Sequence, residues 1–174
     1  MIRLKDLLIE KKLRIFDFDD TLVKTNSKIY VTRNGKQTAL TPGEFAVYEP
    51  KKDDEFDYSD FSKVIEPSEI KAMFKVFKRI QQSTGERRLT ILTARAAYKP
   101  VRKFFKDSGH GEVYVVALAD ANPQKKADWV ENQIKKGYDD IAFFDDSPKN
   151  VTAVNNLKKK YPNVKIKAQV IKYD

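Results

Sequence analysis

The sequence predicts an α/β protein: a Rossmann-like parallel sheet of about five strands with helices on both faces, plus a small β-hairpin flap inserted early. Three observations carry this. Apolar runs too short for helices recur along the chain, segments with apolar residues at helical spacing separate them, and a span at about 23–66 breaks the rhythm. Strands joined by helical crossovers pair in parallel, and a parallel sheet must be covered on both faces.

The first run, "LRIFDFD" (13–19), is rich in aromatics and reads as a buried strand. Pro67 opens "PSEIKAMFKVFKRIQQSTG", in which Ile70, Met73, Phe74, Phe77 and Ile80 recur at helical spacing and Gly85 stands shortly beyond the end. "RLTILTA" (88–94) is the second strand. The helix after it has Pro100 near its start, Val101, Phe104 and Phe105 on its inner face, and Gly109 as its stop. "EVYVVAL" (112–118) is the third strand. "PQKKADWVENQIKKG" places Trp129, Val130, Gln133 and Ile134 on one helical face and ends at a C-capping Gly137. "DDIAFFDD" (139–146) is the fourth strand, and Ser147 with Pro148 signals the N-terminus of another helix, through 161. "VKIKAQVIKY" (164–173) supplies the fifth. Within the insertion, "KIYVTRNGKQTAL" alternates around Asn34-Gly35, a strong hairpin signal. "KKDDEFDYSDF" reads as a charged, aromatic loop folded over the rest. One domain over 1–174 is expected, the insertion acting as a flap without a core of its own.

Composition narrows the chemistry. A chain of 174 residues supplies one sizeable core. No apolar stretch approaches the roughly 18 residues of a membrane span. "MIRLKDLLIEKKL" is interrupted by charges and offers no small-residue cleavage site. The expected location is therefore cytoplasmic, with no membrane partner. The absence of cysteine removes disulfides and thiolate metal sites, and a single histidine, His110, removes a multi-histidine zinc site within one chain. His110, between Gly109 and Gly111, reads as an exposed turn residue. The net charge of +9 favours phosphate-rich partners such as nucleic acid, against the plainer reading that lysines keep the protein soluble.

In open parallel sheets ligands bind outside the carboxyl ends of the strands. Asp17, Asp19 and Thr21 leave the first strand there, Thr93 leaves the second, and Asp145 and Asp146 leave the fourth, with Lys125 and Lys126 opening the helix before it. Carboxylates forced together need a cation, unless one stays protonated. An oxygen-only set selects a hard ion, and Mg²⁺ fits. A carboxylate beside Mg²⁺ can attack phosphorus to give an aspartyl-phosphate, and a second carboxylate two residues on can protonate the leaving oxygen and then activate water. A hydroxyl and an ammonium complete the charge stabilisation. Each piece has a plainer reading as a solvated turn, a strand-end hydroxyl, a helix lysine or an acidic helix N-terminus. Their ordered recurrence at successive strand ends points to phosphoryl transfer.

These residues resemble the four motifs of the haloacid dehalogenase-like (HAD) superfamily: "FDFDDTL" (16–22), "ILTAR" (91–95), Lys125/Lys126 in "NPQKKADWV" and "FFDDSPKN" (143–150). The resemblance implies a phosphatase with Asp17 as nucleophile and metal ligand and Asp19 as general acid/base with its backbone carbonyl on the metal. It further implies that Thr21 supports the first-motif turn, Thr93 bonds a phosphoryl oxygen, and Asp146 holds Mg²⁺ with Asp145 beside it. Lys126 is preferred over Lys125 as the catalytic lysine, Lys125 staying open as a substrate contact with Thr21 and Arg95. Asp20 has no role in that pattern beyond a turn or cap. A small cap implies an open site and a macromolecular phosphorylated substrate. Lys24, Lys28, Arg33 and Lys36 on the flap, with Arg95 and Lys99, favour a polyanion such as a nucleic-acid end. The chain is loosely similar to the phosphatase half of polynucleotide kinase-phosphatases, without a kinase P-loop. A protein phosphatase and a small-metabolite phosphatase are the alternatives within the superfamily. A nucleic-acid-binding module on an inactive HAD fold is the alternative outside catalysis. Natural substrate and oligomeric state are not legible.

Overall fold

Successive side chains of a strand point to opposite faces, so a strand that is apolar at every position needs helices on both sides. In the computed structural model, residues 11–83 and 88–172 are described. β1 (Lys12–Phe16) leads into the flap, which comprises β2 (Val23–Lys24), β3 (Ile29–Arg33), β4 (Lys36–Leu40), α1 (Pro42–Ala46), β5 (Glu55–Asp57), a 3-10 turn (Ser59–Ser62) and β6 (Ser68–Glu69). Then follow α2 (Lys71–Gln82), β7 (Arg88–Thr93), α3 (Lys99–Asp107), β8 (Tyr114–Ala117), α4 (Pro123–Lys135), β9 (Asp140–Asp145), α5 (Pro148–Asn155), α6 (Leu157–Lys160) and β10 (Lys165–Val170).

The five-stranded sheet has the order β10-β9-β1-β7-β8, and each neighbouring pair is parallel. This is the predicted α/β sheet. Leu13 and Ile15 of β1 pack with Val130 and Ile134 of α4 and Val151 and Val154 of α5, while Phe16 packs with Phe74 and Phe77 of α2 and Phe105 of α3. Trp129 borders the first of these layers, half-buried. Local chemistry sets the helix ends. Asn122 caps α4 by accepting a hydrogen bond from the Gln124 N–H at 3.0 Å, and Ser147 caps α5 through the Asn150 N–H. Gly137 leaves α4 at φ +97°, a conformation only glycine adopts cheaply.

The flap contains a two-stranded stem, β2 with β6, and a three-stranded antiparallel sheet in the order β4-β3-β5. Asn34 and Gly35 turn β3 into β4 with φ of 50° and 73°, the two positive values that a type I′ turn requires.

Several expected boundaries move. β1 ends at Phe16, and Asp17 begins the turn. Pro67 does not open α2: Ser68 and Glu69 pair with β2, the Ile70 N–H donates to the Leu22 carbonyl at 2.8 Å, and the helix starts at Lys71. "KKDDEFDYSDF" is not all loop, because Glu55–Asp57 pairs with β3. His110 is not exposed. It is buried against Phe74, bonds Glu69 of the flap stem through Nε2, and its carbonyl accepts from the Gln81 side chain at 2.8 Å. The expected stop at Gly85, the leader reading of residues 1–10 and the last residue of the expected fifth strand, Tyr173, lie outside the described residues. Among those described, no helix is long and apolar enough to cross a membrane.

Candidate active site

From β1 the chain moves outward to β7 and β8, then returns to β9 on the opposite side of β1. The sheet's topological switch point therefore lies between β1 and β9, where open α/β sheets place ligands. Asp17 follows β1 and Asp145 ends β9, and the Asp17 N–H donates to the Phe144 carbonyl at 2.9 Å. Main-chain pairing thus brings together two acids 128 positions apart in the chain.

Lys126, in the first turn of α4, bridges them. Its Nζ donates to Asp17 Oδ1 at 2.7 Å and to Asp145 Oδ2 at 2.6 Å, with all three side chains buried. Asp145 is fully engaged: it also accepts from the Ser147 N–H at 2.9 Å and from Asn150 Nδ2 at 3.0 and 3.1 Å. Thr21 Oγ1 donates to Asp17 Oδ2 at 3.2 Å and accepts from the Asp146 N–H at 3.0 Å, tying the first turn to the last. The Asp146 carboxylate receives no hydrogen bond from any described residue. One ligand oxygen from each of Asp17, Asp145 and Asp146 lies within 4.8 Å of the others. Lys125 is exposed and makes none of these contacts.

Asp19 belongs to a different set. Its carboxylate is gripped bidentately by Arg95, from Nε to Oδ2 and Nη2 to Oδ1, both at 2.7 Å, so its side chain stands apart from the three-acid group. Arg95 follows β7, is 3% exposed, and its Nη1 donates to the Lys63 carbonyl at 2.6 Å and the Phe61 carbonyl at 3.3 Å. One guanidinium therefore joins the first-turn acid to the flap. Thr93, at the end of β7, is buried beside the same cavity and accepts from the Arg95 N–H at 3.2 Å. Asp20 adds a second flap contact. It turns the chain at φ 56°, and its Oδ2 lies against Gly43 at the start of α1.

Burial first, then the charges of Asp145 and Asp19, push the Asp17 carboxyl up to about 7, with Lys126 opposing. Burial first, then Asp17, Asp145 and Asp20, push Asp146 up to about 9. Burial works against the charge on Lys126, but Asp145 and Asp17 outweigh it and hold the ammonium above the usual lysine range. One ammonium for three crowded carboxylates leaves negative charge over. Compared with family models, curated proteins and solved structures, the chain matches none. The fold and site therefore rest on their own geometry: a parallel α/β sheet with an acidic group that could hold a metal ion. The donor set fits a hard cation, since the group offers carboxylate oxygen alone and Asp146 has lone pairs free.

The structure thus gathers Asp17, Thr21, Thr93, Lys126, Asp145 and Asp146 around one cavity end and sets Asp19 with Arg95 at its wall. Sequence reasoning passed over Asn150, whose only signal was its place in the first turn of a helix opened by Ser147. It passed over the approach of Asp20 to the flap as well. The basic border expected around the flap is spent in part: Arg33 pairs with Asp54 at 2.7 Å and Arg95 with Asp19. On α2 and α3, by contrast, exposed Lys71, Lys75, Lys78, Arg79, Lys99 and Lys106 have no described ion-pair partner.

Proposed function

We propose that this chain is a Mg²⁺-dependent phosphomonoesterase of the HAD type, working through an aspartyl-phosphate on Asp17 and acting on nucleic-acid ends or nucleotides. The observation that carries it is Lys126: a buried ammonium 2.7 Å from the Asp17 carboxylate, beside two further acids at the switch point of the sheet. Magnesium held by Asp17 and Asp146, with Asp145 beside them, would supply the charge neutralisation that lets a phosphate approach a carboxylate. Thr21 and Lys126 orient Asp17 so that one of its oxygens meets phosphorus. The new bond from Asp17 forms as the ester P–O bond breaks, and Asp19 gives its proton to the departing oxygen. Water then attacks the aspartyl-phosphate and loses its proton to Asp19. Inorganic phosphate leaves, and both side chains return to their starting states. Thr93 and Lys126 bond the phosphoryl oxygens through the transfer.

In this reading Arg95 holds Asp19 rather than the phosphate, because its donors already face Asp19 and two flap carbonyls. Both Asp19 carboxylate oxygens face Arg95. Substrate entry must therefore turn one of these oxygens away from Arg95 before Asp19 can meet the leaving oxygen.

The test is a Mg²⁺-dependent screen across 5′- and 3′-phosphorylated oligonucleotides, mononucleotides, phosphopeptides and sugar phosphates, run beside Asp17→Asn. Turnover is expected on nucleotide substrates and should vanish in the variant. A variant as fast as wild type on a generic aryl phosphate refutes the nucleophile. The exposed lysines of α2 and α3 that have no ion-pair partner among the described residues favour one competing reading, a nucleic-acid-binding module without catalysis. That reading predicts oligonucleotide binding and no turnover on any of these substrates.

A further inference from the structure

The flap carries aromatic surface that it does not bury. Phe45, Tyr48, Phe56, Tyr58 and Phe61 lie in 45–61, none of them is fully buried, Tyr58 is 43% exposed, and α1 has no buried residue at all. The rings are nevertheless ordered. Phe56 and Tyr58 stack at 6.1 Å with 23° between their planes, and Phe45 meets them edge-on at 5.7 and 5.8 Å. All five line a cavity of about 740 Å³ that also reaches Asp17, Asp19 and Lys126. Phe61 joins the two halves, its ring 4.7 Å from the Arg95 guanidinium that grips Asp19.

Across the cavity stands the loop between β8 and α4. Asp120 and Asn122 of this loop line the same cavity as Tyr58. The loop is held in shape: Ala119 adopts φ 55°, its N–H donates to the Arg95 carbonyl at 3.1 Å, and the Asn122 N–H donates to Asp120 at 2.8 Å. An ordered aromatic wall left open to an active-site cavity fits a planar apolar group. The polar atoms opposite suit a ring with hydrogen-bonding edges. The volume lies well inside the range of sites that enclose a drug-sized ligand, larger than a bare aryl phosphate requires.

We infer that this wall is the leaving-group subsite: the substrate is a nucleotide whose base lies against Tyr58 and Phe56, its edge toward Asp120 and Asn122, while its phosphate sits at Asp17. The inference rests on the phosphomonoesterase reading and narrows it to substrates with a nucleobase next to the reacting phosphate. A base is planar whatever its identity, so the subsite discriminates little among bases and strongly against leaving groups without a ring.

The experiment compares kcat/KM for adenosine 3′- and 5′-monophosphate, a phosphorylated trinucleotide, glycerol 3-phosphate and phosphotyrosine. In the wild type the nucleotides lead. Tyr58→Ala should lower the ratio of nucleotide to glycerol phosphate by about tenfold, the scale of one lost base–aromatic stack. Tyr58→Phe should retain the ratio. Phe56→Leu, which keeps apolar bulk without a plane, should lower it. The trinucleotide arm shows whether the base belongs to a free nucleotide or a strand end, and Tyr58 dependence in either supports the subsite. An unchanged ratio in Tyr58→Ala, or phosphotyrosine leading in the wild type, overturns it. Should no phosphate ester be hydrolysed, calorimetric titration of adenosine monophosphate with Mg²⁺ present separates the two readings. Binding weakened about tenfold by Tyr58→Ala keeps the subsite and removes the phosphatase, whereas no binding removes the subsite.

Discussion

Lys126→Met removes the ammonium from the acidic group while keeping most of the side-chain stem. The lysine side chain is 4% exposed, and its two partners, Asp17 and Asp145, are 8% and 0% exposed, so solvent screens neither contact. Breaking a buried pair by deleting one partner costs about 3–5 kcal/mol, because the other charge is left uncompensated. That is the loss expected at pH 8 without Mg²⁺. It should shrink as the pH falls. Asp17 and Asp146 have carboxyls raised from 3.8 to about 7 and about 9, so at pH 5.5 both are already protonated in the folded wild type. The lysine then answers chiefly Asp145, and its removal should cost roughly 1.5–3 kcal/mol, the scale of a hydrogen bond to a charged group. Mg²⁺ at a hundredfold excess over its dissociation constant should return about 2.7 kcal/mol to the variant. Denaturant unfolding at pH 5.5 and pH 8, with and without Mg²⁺, reads all three quantities. A loss below about 1 kcal/mol that is the same at both pH values would refute the idea that Lys126 holds a crowded acidic group together.

The same two acids set the pH dependence of the wild type. A raised folded pKa means that stability is fully present below the unfolded value of 3.8, and is lost as pH rises through about 7 for Asp17 and about 9 for Asp146. Mg²⁺ binding must displace those protons, so calorimetry between pH 6 and pH 8 should show proton release and an affinity rising about tenfold per pH unit for each proton. A Cβ on Gly43 would lie 3.1 Å from Asp20 Oδ2, so Gly43→Ala should push Asp20 aside and loosen α1. Limited proteolysis should then cut faster within 42–62, while overall stability drops by only about 1 kcal/mol. If α2 and α3 hold a strand, replacing Lys75, Lys78 and Lys106 together with glutamine should flatten the salt dependence of single-stranded oligonucleotide binding by on the order of 0.7 in slope per lost contact. An unchanged slope would place the strand elsewhere.

The central strands were legible because burial on both faces of a parallel strand leaves an apolar run behind, whereas the edge strand β10 alternates exposed Lys165, Lys167 and Gln169 with Ile166, Ala168 and Val170. "LTILT" and "IAFF" need no tertiary information to be read as strands. Boundaries were less legible where a second strand competes for the same residues. Pro67 looks like a helix opener, but Glu69 has Val23 as an antiparallel partner, and that pairing wins the segment until Ile70. β5 was hidden for a similar reason. "EFD" carries no strand signal of its own and takes its form from β3, whose Val31 faces Phe56 across the ladder. His110 was misplaced because flanking glycines describe the backbone and not what the side chain meets. Gly109 and Gly111 do adopt φ of 75° and 78°, yet the imidazole between them packs on Phe74 and reaches Glu69.

At the site, the types of residue were legible and their partners were not. Three strand ends announce which acids and hydroxyls gather, since the topology of a parallel sheet sends them to one edge. What a charge does there depends on the charge it meets, and that is set by side-chain packing across long stretches of chain. Asp145 and Asp146 are adjacent in sequence and look interchangeable. Yet Lys126, Ser147 and Asn150 saturate the first, while the second, one residue past the strand end, accepts no hydrogen bond from a described residue at its carboxylate. Asp17 and Asp19 divide in the same manner: two residues apart, one meets an ammonium and the other a guanidinium that also holds the flap. Because Arg95 links Asp19 to the Phe61 and Lys63 carbonyls, any movement of the flap's 3-10 segment is felt at Asp19. The insertion that looked like an appendage is therefore wired to the side chain proposed to carry the proton. Flap position and the orientation of the Asp19 carboxylate are two views of one hydrogen-bond network.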